Sequence, residues 1–243
     1  DFTAPTISFS SVDISTDSGT SASDFNTNTA SQTLTATLSA ALASGDVLKA
    51  SVNAGSSWSD VTSDVSTTSL STSITLAGSS AIHLQITDAA GNAGTADTTS
   101  YTLDTTAPTI SFSSVDISTD SGTSASDFNT NTAAQTLTAT LSAAMASDDI
   151  LKVSVDAGSS WSDVTSSVST TSLSTAITLA GTSAIHLQIT DDAGNAGTAD
   201  TTSYILDTTA PTISFSSVDI SADTGTSDSD FNTKTAAQTL TAT

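Results

Sequence analysis

The chain has no cysteine, no arginine and no glutamate, and only two histidines, three prolines and three lysines in 243 residues. Each scarcity removes a class of explanation. Without cysteine there is no disulfide framework and no thiolate chemistry, so an exported domain would have to be held by packing or by a metal ion. With Lys49, Lys152 and Lys234 as the whole stock of bases, no basic patch exists to neutralise phosphates, which excludes nucleic acid and anionic membrane as partners. No apolar run approaches the roughly 20 residues of a membrane-spanning helix, so membrane insertion is not expected. Neither a start methionine nor a signal peptide is present, so the sequence reads as a piece of a longer chain. What is abundant is acid: 25 carboxylates, all aspartate, for a net charge of -22.

The sequence repeats. Pro5, Pro108 and Pro211 are spaced by 103 residues, as are Trp58 and Trp161 or His83 and His186. Residues 1–103 and 104–206 differ at 12 positions, and a third copy, 207–243, stops after 37 residues. A unit of about 100 residues is an ordinary domain size. Two complete domains and the N-terminal stub of a third are therefore expected, joined through "DTTAPT", a short linker stiffened by its proline.

Within a repeat the apolar residues alternate with Ser and Thr: Leu34, Ala36, Leu38; Leu48, Ala50, Val52; Leu70, Ile74, Leu76; Ile82, Leu84, Ile86; Tyr101, Leu103. A period of two is that of half-buried strands. The phase slips between Ile7, Phe9 and Val12, Ile14, which predicts a β-bulge. About seven strands bounded by Gly, Asn, Asp and Ser point to an all-β fold, a tandem of immunoglobulin-like Greek-key β-sandwiches, with the single Trp of each repeat as the expected core plug.

"LDTTAPTISF", the loop "STDSGTSASDF" and "ITDAAGNAG" before a last strand, in that order, resemble the bacterial immunoglobulin-like extender repeats of giant secreted adhesins, including those of the repeats-in-toxin type. The resemblance covers the whole chain. It implies a non-catalytic stalk on a bacterial surface, part of a secreted protein, with calcium stiffening the joints between neighbouring repeats and the adhesive ligand bound outside this segment. The glycine-rich nonapeptides that bind calcium in the export signals of such proteins are missing here.

The loop order gives a reason for the acid. If seven alternating strands A to G build each domain, the A–B loop at 15–30 lies at the pole facing the next domain, and the F–G loop "DDAGNAG" at 191–197 lies at the pole facing back. The linker with Asp104 runs between them. Three segments thus bring Asp17, Asp24, Asp104, Asp191, Asp192 and Asn195 toward one joint, an oxygen set suited to a hard cation such as calcium. Their equivalents at other poles are Asp120, Asp127 and Asp207, and Asp1, Asp88 and Asn92. The plain alternative is that Asp, Asn, Ser and Gly are ordinary turn formers on a solvated surface. Against it, unpaired carboxylates at close range repel unless a cation neutralises them.

"SVNAGSSW" at 51–58 and "SVDAGSSW" at 154–161 fit the S-x-D-x-G-x-x-W hairpin pattern, which resembles that of sialidases and other glycan-handling propellers. Sialidase chemistry, as that resemblance implies it, needs arginines and a Tyr–Glu nucleophile pair, and this chain has no Arg and no Glu. A structural hairpin is the simpler reading. His83 and His186 alternate with core residues and so point outward, and no Ser–His–Asp arrangement is specified by spacing. The sequence therefore predicts a non-catalytic extender. Its rivals are a glycan-binding module, which would need an exposed aromatic platform, and a subunit of a self-assembling surface filament.

Overall fold

The computed structural model describes residues 2–243; the candidate Asp1 lies outside them. In the first repeat the strands are β1 (Phe9–Ile14), β2 (Asn26–Thr27), β3 (Ser31–Leu38), β4 (Val47–Ser51), β5 (Ser59–Asp60), β6 (Val65–Ser66), β7 (Ser69–Thr75), β8 (Ser79–Thr87) and β9 (Asp97–Leu103). They form two sheets, ordered β1-β3-β7-β6 and β2-β9-β8-β4-β5. Assigning β1, β3, β4, β6, β7, β8 and β9 to strands A to G gives A-B-E-D on one sheet and G-F-C on the other, the immunoglobulin-like Greek-key sandwich.

The second repeat follows the same course: β10 (Phe112–Ile117), β11 (Asn129–Thr130), β12 (Ala134–Leu141), β13 (Ile150–Ser154), β14 (Ser162–Asp163), β15 (Val168–Ser169), β16 (Ser172–Thr178), β17 (Thr182–Thr190) and β18 (Asp200–Leu206). Its sheets are ordered β10-β12-β16-β15 and β11-β18-β17-β13-β14. No helix among the described residues is long and apolar enough to cross a membrane.

Alternation decides what is buried. Leu34, Ala36 and Leu38 of β3 face Ile82, Leu84 and Ile86 of β8 across the sandwich, all almost fully buried, while the intervening Thr35 and Thr37 of β3 and His83 and Gln85 of β8 lie on the opposite faces. The phase slip in the first strand is a bulge: Ser10 pairs with Thr37 and Asp13 with Thr35, so two residues, Ser11 and Val12, stand opposite one, and Ser11 takes a φ of +49°.

Two features differ from the sequence expectation. The tryptophans are not core plugs. Trp161 is 37% exposed and Trp58 half-buried; each packs its ring against a histidine, with centroids 6.0 Å apart for Trp58–His83 and 6.1 Å for Trp161–His186. The buried aromatic is Tyr101, or Tyr204 in the second repeat, whose hydroxyl donates to the Val52 or Val155 carbonyl at 2.7 and 2.8 Å. Second, the A–B loop holds a strand beyond the seven expected: β2 inside it pairs in parallel with β9, Asn26 opposite Thr102 and Thr27 opposite Leu103.

By backbone contacts, the chain forms two compact units, Asp1–Asp207 and Thr208–Thr243. The first holds both complete repeats, each with its own apolar cluster. In the second, β19 (Asp219–Ile220) and β20 (Leu240–Thr241) pair in the register of β1 and β3, but Ile213, Phe215 and Leu240 stand 84, 77 and 69% exposed.

Candidate functional site

The A–B loop is built on a buried glutamine. Gln32 occupies an inward position of β3, in phase with Leu34, and is 4% exposed. Its amide nitrogen donates to the Thr16 carbonyl (2.9 Å), the Thr29 carbonyl (2.7 Å) and Thr27 Oγ1 (3.2 Å), and its oxygen accepts from Thr16 N (2.8 Å) and the Ser15 hydroxyl (3.0 Å). All of the amide's valences are thus spent on tying the two ends of the loop together. The sequence reading passed over Gln32; the signal was a polar residue on the apolar phase of a strand.

Next along the loop is Asp17. Its Oδ2 accepts from the backbone N–H of Phe25 (2.9 Å), a residue held at a φ of +60°. Its Oδ1 is buried without a hydrogen-bond partner, as are Asn26 Oδ1 and the repeat equivalents Asp120 Oδ1 and Asp223 Oδ1. Burial pushes the Asp17 carboxyl up from its ordinary value despite the bond from Phe25, and the neighbouring Asp24 carboxylate pushes the same way. Asp24 Oδ1 accepts from Asn26 N (3.0 Å). Asp127 and Asp120 do the same work in the second repeat, toward Asn129 N and Phe128 N.

This loop seats on the turn at 191–197 of the second repeat. Asn26 Nδ2 donates to Asp192 Oδ2 (2.7 Å) and Thr20 Oγ1 to Asp192 Oδ1 (2.6 Å), while Thr20 N donates to the Asp192 carbonyl (3.3 Å). The Ser18 hydroxyl reaches the Ala193 carbonyl at 2.7 Å. The backbones touch: a Cβ on Gly19 would lie 2.2 Å from the Asp192 carbonyl oxygen, and one on Gly194 2.2 Å from that of Ser18. The linker joins the same network, since Asp104 N donates to the Thr27 carbonyl (3.0 Å) and Asn195 Nδ2 to the Asp104 carbonyl (2.9 Å).

The six candidates Asp17, Asp24, Asp104, Asp191, Asp192 and Asn195 thus lie along one joint, but not round one point. Among the described residues no three carboxylate or imidazole side chains cluster closely enough to hold a metal ion by themselves. Asp191 spends its carboxylate within its own turn, accepting from Asn195 N and Nδ2 (2.7 and 2.9 Å). Asp88 does likewise with Asn92, whose side-chain bond holds the Asp88 carboxyl below its ordinary value. Asp104 Oδ1 accepts from Thr106 N (2.8 Å), and Asp207 N donates to the Thr130 carbonyl (2.9 Å). The oxygens left without donors, Asp17 Oδ1 and Asn26 Oδ1, are acceptors only, the kind of ligand a hard cation takes. They fit calcium in donor type, with backbone carbonyls needed to complete a shell.

No protein-family model matches the chain, and no curated protein matches it. Among solved structures it is similar to the fibronectin(III)-like modules of CbhA from Clostridium thermocellum, at 12% identity and a TM-score of 0.46, covering 81% of this chain and 94% of that one. It is also similar to the BSP domain structure of a biofilm associated protein, at 16% identity and a TM-score of 0.23, covering 75% of this chain. This chain spans 28% of the length of that second protein. At these scores neither likeness bears on function, and the immunoglobulin-like assignment rests on the sheet order and register above.

Proposed function

We propose that this chain is a non-catalytic extender segment of a bacterial surface adhesin, in which successive immunoglobulin-like repeats are joined loop to turn and calcium stiffens the joints. The observation that carries this reading is the seating of the 15–30 loop of one repeat on the 191–197 turn of the next. A tether between independent domains has no need of two glycines whose missing side chains make room for a neighbour's backbone. Calcium enters through the buried, donorless oxygens of Asp17 and Asn26 beside the Asp24 carboxylate. Asp17 and Asn26 would hold the ion, which supplies positive charge where the buried carboxyl otherwise resists ionisation. Small-angle scattering of the chain in calcium and in chelator, paired with elemental analysis, tests it: the reading requires bound calcium and a narrower conformational distribution in its presence.

A second reading has one observation in its favour. The exposed Trp161, and Trp58 at the same place one repeat earlier, offer aromatic faces of the sort a sugar ring stacks on. Glycan-array binding that is abolished by Trp161→Ala would favour a glycan-binding module over an extender.

A further inference from the structure

Two of the 12 positions at which the first two repeats differ meet at the back-facing turn. Repeat 1 carries Gly45 and Ala89 there, and a Cβ on Gly45 would lie 2.9 Å from that of Ala89. Repeat 2 carries Asp148 and Asp192 at the same places. Asp192 is the side chain that grips the loop of repeat 1, taking Thr20 on one carboxylate oxygen and Asn26 on the other. The donors do not vary: Thr20 and Asn26 recur as Thr123 and Asn129, and as Thr226 and Asn232. For this pair of bonds the variation is on the acceptor, whereas the third donor, Ser18, recurs as Ser121 and Thr224, each with a hydroxyl.

We propose that the residue at the second position of this turn specifies the joint. A turn bearing Asp is a docking surface for the donor loop of another repeat of this kind, and a turn bearing Ala offers that loop backbone carbonyls alone. Hydrogen bonds to an ionised acceptor are about twice as strong as neutral ones, and Asp192 accepts two of them across the joint. At Ala89 the same two donors would meet a methyl group. Ala193, beside Asp192 in the docked turn, is 2% exposed, and its carbonyl accepts from the Ser18 hydroxyl. These contacts are direct hydrogen bonds between the two repeats, so the proposal expects docking in chelator as well as in calcium. The proposal rests on the extender reading in one respect, that the partner is a neighbouring repeat, and it is independent of calcium.

The test is amide hydrogen exchange at Thr20, whose N–H donates to the Asp192 carbonyl, in the 243-residue chain in chelator. Asp192→Ala installs the residue that repeat 1 already carries, so the second sandwich retains its fold. It should speed exchange at Thr20 by about tenfold or more, the equivalent of losing charged hydrogen bonds. Exchange at Leu151, inside the second sandwich, should stay unchanged. Thr20→Val removes the other side of one bond, and the two substitutions together should do less than the product of their separate effects. Unchanged Thr20 exchange in Asp192→Ala, or full additivity of the pair, overturns the proposal. Calcium added to the wild type separates the two ideas. A calcium response without an Asp192 effect leaves only the calcium reading standing, and an Asp192 effect in chelator without a calcium response leaves only this one.

Discussion

Asn26 donates its amide to the Asp192 carboxylate of the following repeat at 2.7 Å, while its own carbonyl oxygen is buried without a donor. One side chain therefore belongs to two arrangements at once: a direct protein–protein contact on its nitrogen and an unfilled acceptor position on its oxygen. The predictions below separate the two.

The direct contact is isolated by a pair of glycines. Gly194 and Gly91 occupy equivalent turn positions at nearly the same φ, +88° and +91°, so alanine strains both backbones alike. Only Gly194 faces a neighbour, with the Ser18 carbonyl oxygen 2.2 Å from its would-be Cβ, whereas Gly91 has nothing within 4 Å. Gly194→Ala should therefore open the joint, seen as a broader scattering-derived distance distribution, and Gly91→Ala should leave it as in the wild type. Equal behaviour of the two variants would mean that the close approach does not hold the repeats together.

The acceptor position is probed through Asp17. Its folded-state pKa lies above the ordinary 3.8, so the folded protein binds that proton more tightly than the unfolded chain does. Stability from this group is present at low pH and is lost as pH rises through the folded value. Asp17→Asn keeps an oxygen for Phe25 N–H and removes the charge. In chelator at neutral pH the variant should melt higher than the wild type, and the gap should close as pH falls toward 3.8. In calcium the order should reverse, because the variant loses an ionic ligand.

Asp156 has the opposite sign. The Ser160 hydroxyl and N–H bonds hold its carboxyl down at about 2. Its contribution to the 154–161 hairpin is present above the ordinary value of 3.8 and is lost as pH falls through about 2. Asn53 stands at this place in repeat 1 and accepts from Ser57 N without titrating. Chemical shifts of the two hairpins followed from pH 5 to 1.5 should therefore diverge, with Ser160 moving at the low end and Ser57 still. A shift of Ser160 centred near 4 would contradict the assignment.

The aromatic residues give the fourth prediction. Tyr204 is 1% exposed and its hydroxyl bonds the Val155 carbonyl, so Tyr204→Phe should cost about 1–3 kcal/mol by leaving buried polar groups unmatched. Trp161→Ala, at a 37% exposed ring, should cost about 1 kcal/mol, well under the roughly 3–5 of a buried aromatic. Denaturant melts of both variants decide it; a larger loss for Trp161 would place that ring in the core.

Much of the sandwich was legible because alternation is a one-dimensional signal: Leu34, Ala36 and Leu38 announce which face is buried, and the slip before Val12 announces the bulge. The tryptophan was misread because size argues for burial only where nothing else positions the ring. Here the turn at Gly55 and the outward His83 hold it on the surface. The parallel pairing of Asn26 and Thr27 with the last strand was invisible, since a two-residue strand has no period. At the joint, the sequence picked out the segments that meet. It did not reveal how each carboxylate would be spent, because Asp191 on its own turn and Asp192 on the neighbour's amide differ only by one step in the chain.

The central claim, a calcium-stiffened joint between neighbouring repeats, is tested most directly by calcium titration calorimetry on the 243-residue chain with scattering profiles recorded at each end of the titration. The account predicts saturable binding, a narrower distance distribution, and a melting temperature raised by several degrees, as expected when a ligand at a hundred times its dissociation constant adds about 2.7 kcal/mol to the folded state. No heat of binding, with superimposable scattering profiles and melts in calcium and in chelator, would contradict it.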